Sequence, residues 1–193
     1  HTICTGPGGY TRAFHLEPDI LTLGKPIAGG IPGAVYGLSE EIAERVRRAT
    51  NREDSDTSGI GGTLAGNALS LTAMRATLEH VLTEEAYQHS IPLATRFNAG
   101  VQELIKEYQL PWHVTQLGCR AEYWFIAHPP ANGGEAAAAV DFELDQYMHL
   151  AALNRGILMT PFHNMALVAP STSAEDIDQH TAVFRESVES LLD

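Results

Sequence analysis

Apolar residues follow two rhythms along this chain, and the change of rhythm marks its elements. DILTLG (19–24) and AVYGLS (34–39) hold branched or large apolar residues between turn-forming neighbours, which predicts two short strands. Before them, ICTG (3–6) is a brief apolar tip closed by Gly6, Pro7, Gly8 and Gly9, and a helical turn is expected around TRAFHLE. SEEIAERVRRA (39–49) predicts a helix: Ser39 is a good N-cap, two glutamates fill the first turn, and Arg45, Arg47 and Arg48 lie near the end. A polar loop, NREDSDTSGIGG (51–62), leads to a helix at 67–82, where Leu69, Leu71, Met74, Leu78 and Val81 trace one face. A further helical period covers 83–108 through Ile91, Leu93, Phe97, Val101, Leu104 and Ile105, with Pro92 expected to kink or break it near its start.

After about residue 110 the pattern changes. VTQLGCRAEYWFIA (114–127) alternates as one or two strands, and PPANGG is a turn. EAAAAVDFELDQYMHLAALNRG (135–156) predicts one helix closed by Arg155 and Gly156. ILMTP and MALVAP predict two short apolar strands. SAEDIDQHTAVFRESVESLL (173–192) predicts a last helix, capped by Ser173, with Glu175 and Asp176 in its first turn. The expected architecture is α/β: the tail of a larger α/β sheet over 1–82, then a small α+β domain over 83–193.

Composition narrows the function classes. Hydrophobic residues are 44% and charged residues 19% of 193, a globular balance. A chain of this length hides roughly 70% of its unfolded surface on folding, enough for a proper core. The net charge of −12 disfavours nucleic acid and anionic membrane as partners. Cys4 and Cys119 have no metal spacing and are too few for a disulfide framework, so a reduced, cytoplasmic setting is expected. No apolar run approaches a membrane span. The histidines show no ligand spacing, so no metal is expected. The chain opens HTICTGPGG without Met, which reads as a cut inside a longer protein.

The candidate chemistry sits at Lys25. An apolar strand ends in this ammonium, and Ala28, Gly29, Gly30, Gly33 and Ala34 follow. Burial of a lysine favours its neutral form, and a neutral amine is a nucleophile toward aldehydes. The small residues would leave room for a flat ring and close backbone approach. A bare Gly-Lys pair by itself reads as a surface lysine at a strand end. It is no phosphate-binding P-loop, because Pro26 stands where that motif needs Ser or Thr.

PDILTLGKPIAGGIPGAVYG, followed by GGTLAGNALSLTAM, resembles the class III aminotransferases among fold-type I pyridoxal-phosphate (PLP) enzymes, within the branch that holds glutamate-1-semialdehyde aminomutase. The resemblance covers essentially the whole chain and is most specific around Lys25 and Thr63. It implies that Lys25 forms the Schiff base with PLP and moves a proton between substrate carbon and cofactor. It implies that Thr63 contacts the cofactor phosphate of the neighbouring subunit, hence a homodimer; without it, Thr63 reads as the N-cap of the 67–82 helix. It places the Asp that pairs with the pyridine nitrogen, the main phosphate turn and the stacking aromatic upstream of His1. The chain then reads as the C-terminal part of such an enzyme, without activity alone.

The aminomutase branch carries an Arg shortly after its TGF motif. Here TGPGGYTRAF displaces Arg12, which favours an ordinary transaminase acting on an amino acid or amine and a keto or aldehyde acceptor. The alternatives are a glutamate-1-semialdehyde aminomutase-type isomerase and a non-catalytic fragment. Arg120, between apolar strands, is a candidate clamp for a substrate carboxylate, or a strand arginine paired with Glu122. Tyr10, after the glycine turn, is a candidate for the substrate entrance or for packing. His163 reads as a turn histidine, and Cys119 as a core thiol.

Overall fold

Two strands and three α-helices build the described residues of the unit around Lys25. A computed structural model describes residues 2–50, 61–160 and 163–193. Contacts divide the chain into two compact units, one of Tyr10–Thr83 and one of His1–Gly9 with Glu84–Asp193. The expected loop at 51–62 lies, except for its last two residues, outside the described residues. In the first unit, β1 (Ile20–Leu23) pairs antiparallel with β2 (Val35–Leu38), Ile20 opposite Leu38 and Leu23 opposite Val35. The short helix expected near TRAFHLE starts earlier, as α1 (Gly9–Ala13). α2 (Glu40–Thr50) follows β2 with Ser39 at its start: the Ile42 N–H donates to Ser39 Oγ at 3.4 Å, and Ser39 Oγ donates to Asp19 at 3.2 Å. α3 (Ala68–His80) completes the unit.

The second unit carries the larger core. α4 (Glu84–Glu107) runs unbroken through Pro92, so the alternative of a break there does not hold. The proline lies within its first three turns, and burial of Phe97, Val101 and Leu104 further along holds the helix in place. β3 (His113–Leu117) and β4 (Arg120–Trp124) form a hairpin, and β5 (Met165–Leu167) adds antiparallel to β4. One face of this sheet is covered by α4, on which α7 (Ala174–Leu192) packs, and Phe184 of α7 meets Trp112 and Tyr123 edge to face. Ser173 and Asp176 form a reciprocal capping box at the start of α7. Ser173→Ala is expected to lower stability by about 1 kcal/mol in urea unfolding.

Two expectations fail here. The single helix over 135–156 is two, α5 (Gly133–Ala138) and α6 (Phe142–Leu153), because Asp141 accepts from the Leu144 N–H and starts a new helix. A local cap thereby outweighs the continuous apolar pattern. ILMTP forms no strand over its described residues 157–160, since β5 is the edge partner of β4 and no further strand adds there.

Gly118 is the tightest point of the second unit. It turns the hairpin at φ 59°, and a Cβ there would lie 2.0 Å from the Cys4 carbonyl oxygen and 2.6 Å from Thr5 Cα. Both obstacles are backbone and cannot swing aside. Gly118→Ala is therefore expected to cost at least about 2 kcal/mol, read as a lower urea midpoint.

Candidate active site

Lys25 follows β1 after one residue, Gly24, and opens a 3₁₀ turn, Lys25–Ala28. Its backbone takes a left-handed φ of 54°, which a non-glycine residue adopts only when its surroundings impose it. Several contacts impose it. Ile27 and Ala28 are buried, the Gly29 N–H donates to the Pro26 carbonyl at 3.1 Å, and the Ile31 N–H donates to the Ala28 carbonyl at 3.1 Å. Ser70 Oγ on α3 donates to the Pro32 carbonyl at 2.8 Å. A Cβ on Gly29 would meet Thr77 Oγ1 at 3.0 Å, and one on Gly33 would meet Met74 Cε at 2.8 Å. These two glycines admit α3, a packing use the sequence pattern did not show.

Among the described residues Lys25 is exposed, while Ile27 and Ala28 of the same turn are buried. The turn puts its apolar end against α3 and holds Lys25 at its other end.

Thr63 lies in a turn ahead of α3 and is exposed. The Ala65 N–H is already used by the Gly62 carbonyl, at 2.9 Å. Thr63 is not the N-cap. Asn67 is, accepting from the Ser70 N–H at 2.9 Å. Tyr10 stacks on Phe14 with ring centroids 4.0 Å apart. In the second unit, Arg120 pairs with Glu122 through Nη2, and its Nε donates to Met165 Sδ at 2.6 Å. Glu122, whose side chain is only 9% exposed, also faces His163 Nδ1 at 3.4 Å. The alternative reading of Arg120, a strand arginine paired with Glu122, is the arrangement found. Sequence reasoning missed His163 as a second partner of Glu122, because the two are 41 positions apart and meet only through β5. Among the described residues no group of His, Cys, Asp and Glu could hold a metal, and no helix is long and apolar enough to cross a membrane.

The same arrangement of elements occurs in PLP enzymes of known structure. An omega-transaminase from Sphaerobacter thermophilus shares the fold, with a TM-score of 0.77 at 21% identity over 100% of this chain and 43% of that one. A glutamate-1-semialdehyde-aminomutase from Pseudomonas aeruginosa PAO1 superposes with a TM-score of 0.93 at 51% identity, over 99% of this chain and 43% of that one. A variant from the same organism, in complex with PMP, does so at 50% identity. The aminotransferase class-III family model matches residues 4–188, and the chain belongs to that family.

Among curated proteins it is 31% identical to glutamate-1-semialdehyde 2,1-aminomutase of Chloroflexus aggregans, over 96% of this chain and 42% of that protein. It is 33% identical to the enzyme of that name from Thermomicrobium roseum, over 95% and 41%. The chain therefore spans about two-fifths of the length of these relatives. The family is PLP-dependent. The donor set fits that cofactor in part: Lys25 offers an exposed primary amine on a held turn, and Thr63 an exposed hydroxyl in the turn before α3.

Proposed function

We propose that this chain supplies the cofactor lysine of a PLP-dependent enzyme that moves amino groups. The observation that carries the reading is Lys25, held at a left-handed φ on an anchored turn in a chain that matches the class-III family from residue 4 to 188. The unit around Lys25 would be the end of the cofactor domain, and residues from about 83 onward the small C-terminal domain.

When bound, PLP supplies an electron-withdrawing ring that stabilises negative charge on the substrate carbon. Lys25 would hold the cofactor by its aldehyde carbon. Released by an incoming amine, its Nζ would take and return a proton, the work of a positioned general acid and base. The rigid turn fixes where that proton is taken. Thr63 would donate its hydroxyl to the phosphate of the partner subunit's cofactor, which makes the active form a homodimer. Tyr10 and Arg120 are assigned to the substrate side. Arg120 would exchange part of its pairing with Glu122 for a substrate carboxylate in a bidentate fork. The reduced thiols accord with a cytoplasmic enzyme.

Two reactions suit this site. A transaminase needs a separate amino donor and acceptor, and the displaced Arg12 favours it. An aminomutase isomerises one substrate, and the names of the most similar relatives favour it equally. Assay of the full-length protein with glutamate-1-semialdehyde alone separates them. Isomerisation without a second substrate means the mutase; turnover only when an acceptor is added means the transaminase. Before either, borohydride reduction and peptide mass spectrometry must find a phosphopyridoxyl group on Lys25. An adduct elsewhere, or none after PLP is added, sinks the reading.

A further inference from the structure

Two thiols meet where the segment Thr2–Thr5 lies against the β3–β4 turn. The Cys119 N–H donates to the Cys4 carbonyl at 2.9 Å, and the Val168 N–H donates to the Cys119 carbonyl at 3.0 Å, so Cys119 is held by backbone on both sides. Gly118 permits this approach, since any Cβ there would collide with Cys4 and Thr5. One residue before Cys4, the Ile3 carbonyl accepts from the Tyr87 hydroxyl at 3.0 Å. The two thiols are themselves hydrogen-bonded, and they are not joined in a disulfide. The backbone bond between the two residues and the hydrogen bond between their thiols set them side by side, as a disulfide, whose Cα atoms lie about 4.4–6.8 Å apart, requires.

We propose that Cys4 and Cys119 are a redox-modification site: oxidation joins them in a disulfide that fastens the segment around Cys4 to the β3–β4 turn. The inference is independent of the amino-group chemistry. The oxidant is a low-molecular-weight disulfide such as glutathione disulfide. One of the two cysteine thiolates attacks one of its sulfurs, the S–S bond breaks, and one glutathione leaves. The other cysteine thiolate then attacks the sulfur of the first and expels the second glutathione. Each cysteine gives up its proton, each departing glutathione takes one, and the electron pair passes from the cysteines to glutathione disulfide.

The hydrogen bond to Cys4, and then burial, hold the Cys119 thiol well above the ordinary thiol range. Closure therefore quickens as pH rises, because the thiolate is the attacking form. The Tyr87 phenol, pushed up to about 12 by burial and by the charges of Cys119 and Cys4, lies beside the same pair. The loop closed would run from Cys4 to Cys119, long enough to restrict the unfolded chain substantially.

The test is oxidation of the purified protein by graded ratios of glutathione disulfide to glutathione, acid quenching, alkylation and non-reducing tryptic mapping. The expected product is a linked pair: the Cys4 peptide ending at Arg12 and the peptide Glu107–Arg120, with the intact mass lower by two hydrogens. It should form in native protein at a ratio at least about tenfold lower than in urea, because the fold already holds the thiols together. The melting temperature should rise on closure and fall back with dithiothreitol. Cys4→Ser should leave Cys119 carrying glutathione or an alkyl group and abolish the reversible shift. Cysteines that remain alkylatable, or that each carry glutathione, even in pure glutathione disulfide would overturn the proposal. So would a linked pair that forms as readily in urea as in native protein.

Discussion

Lys25→Ala in the full-length protein removes the borohydride-stable phosphopyridoxyl label from the chain and lowers kcat by at least about a hundredfold, the smaller end of what one positioned acid–base group contributes. The test is unusually clean in this chain. Its 193 residues contain only two lysines, Lys25 and Lys106. Lys106 lies near the end of α4, exposed on a different unit, and serves as the internal control. A specific cofactor site labels Lys25 alone. Labelling of both lysines in proportion to added PLP would mean random surface chemistry and would end the proposal. Lys25→Arg sharpens the result. It keeps the charge and length but offers no amine that stays neutral long enough to attack an aldehyde, so it should lose the label as completely as alanine does.

The left-handed φ of Lys25 adds a second expectation. Lys25→Gly relieves the backbone while removing the amine. It should be as inactive as Lys25→Ala and at least as stable. If both variants unfolded at markedly lower urea than the parent, loss of label would report misfolding. The turn would then have to be probed by adding free amines to restore activity.

The second large effect is a loss of stability in acid that depends on His180. This histidine lies on α7, 6% exposed, with its ring 4.3 Å from that of Phe97 and 6.1 Å from that of Phe184. Its Nδ1 is buried without a hydrogen-bond partner among the described residues. Burial among rings disfavours the imidazolium and pushes the pKa from 6.5 down to about 4. The sign follows by linkage. Between pH 6.5 and 4 the unfolded chain takes up a proton that the folded chain refuses, so acid favours unfolding across that window. Above pH 6.5 the penalty is absent, and below 4 it is fully present. The full effect is about 3 kcal/mol.

Urea unfolding at pH 7 and pH 4.5 would measure it, with His180→Leu as the comparison. The leucine variant keeps an apolar side chain of similar size and has nothing to protonate. It should lose much less stability over that interval than the parent. Parallel losses would show that other groups carry the acid sensitivity and that His180 is not held neutral.

Much of this could be read from the sequence because the controlling interactions are local. Ser39 and Ser173 start their helices as their side chains and first-turn acids predict. The period through Phe97, Val101, Leu104 and Ile105 marks the buried face of α4. The alternation over 114–127, which reads as one or two strands, is a hairpin of two. The family was legible too, since the blocks around Lys25 and Thr63 occur together and in order, and the match extends over 4–188. What was misread lies where a local signal competes with a distant one. Asp141 divides a run that reads as one helix. Residues 157–160 have strand character and form no strand. The cap that Thr63 offered as an alternative falls to Asn67.

By itself, then, the sequence determined the helices with strong caps, the strands around 114–127 and the PLP-dependent class, and it put Lys25 forward as the candidate lysine, because each rests on residues a few positions apart or on the kind of side chain present. Only the tertiary structure decided that Lys25 sits at a left-handed turn, that Gly29 and Gly33 make room for α3, that Arg120 and His163 share Glu122, and that Cys4 meets Cys119. Each of those depends on segments brought together across tens of residues, and the closeness of such segments follows from how the whole core packs.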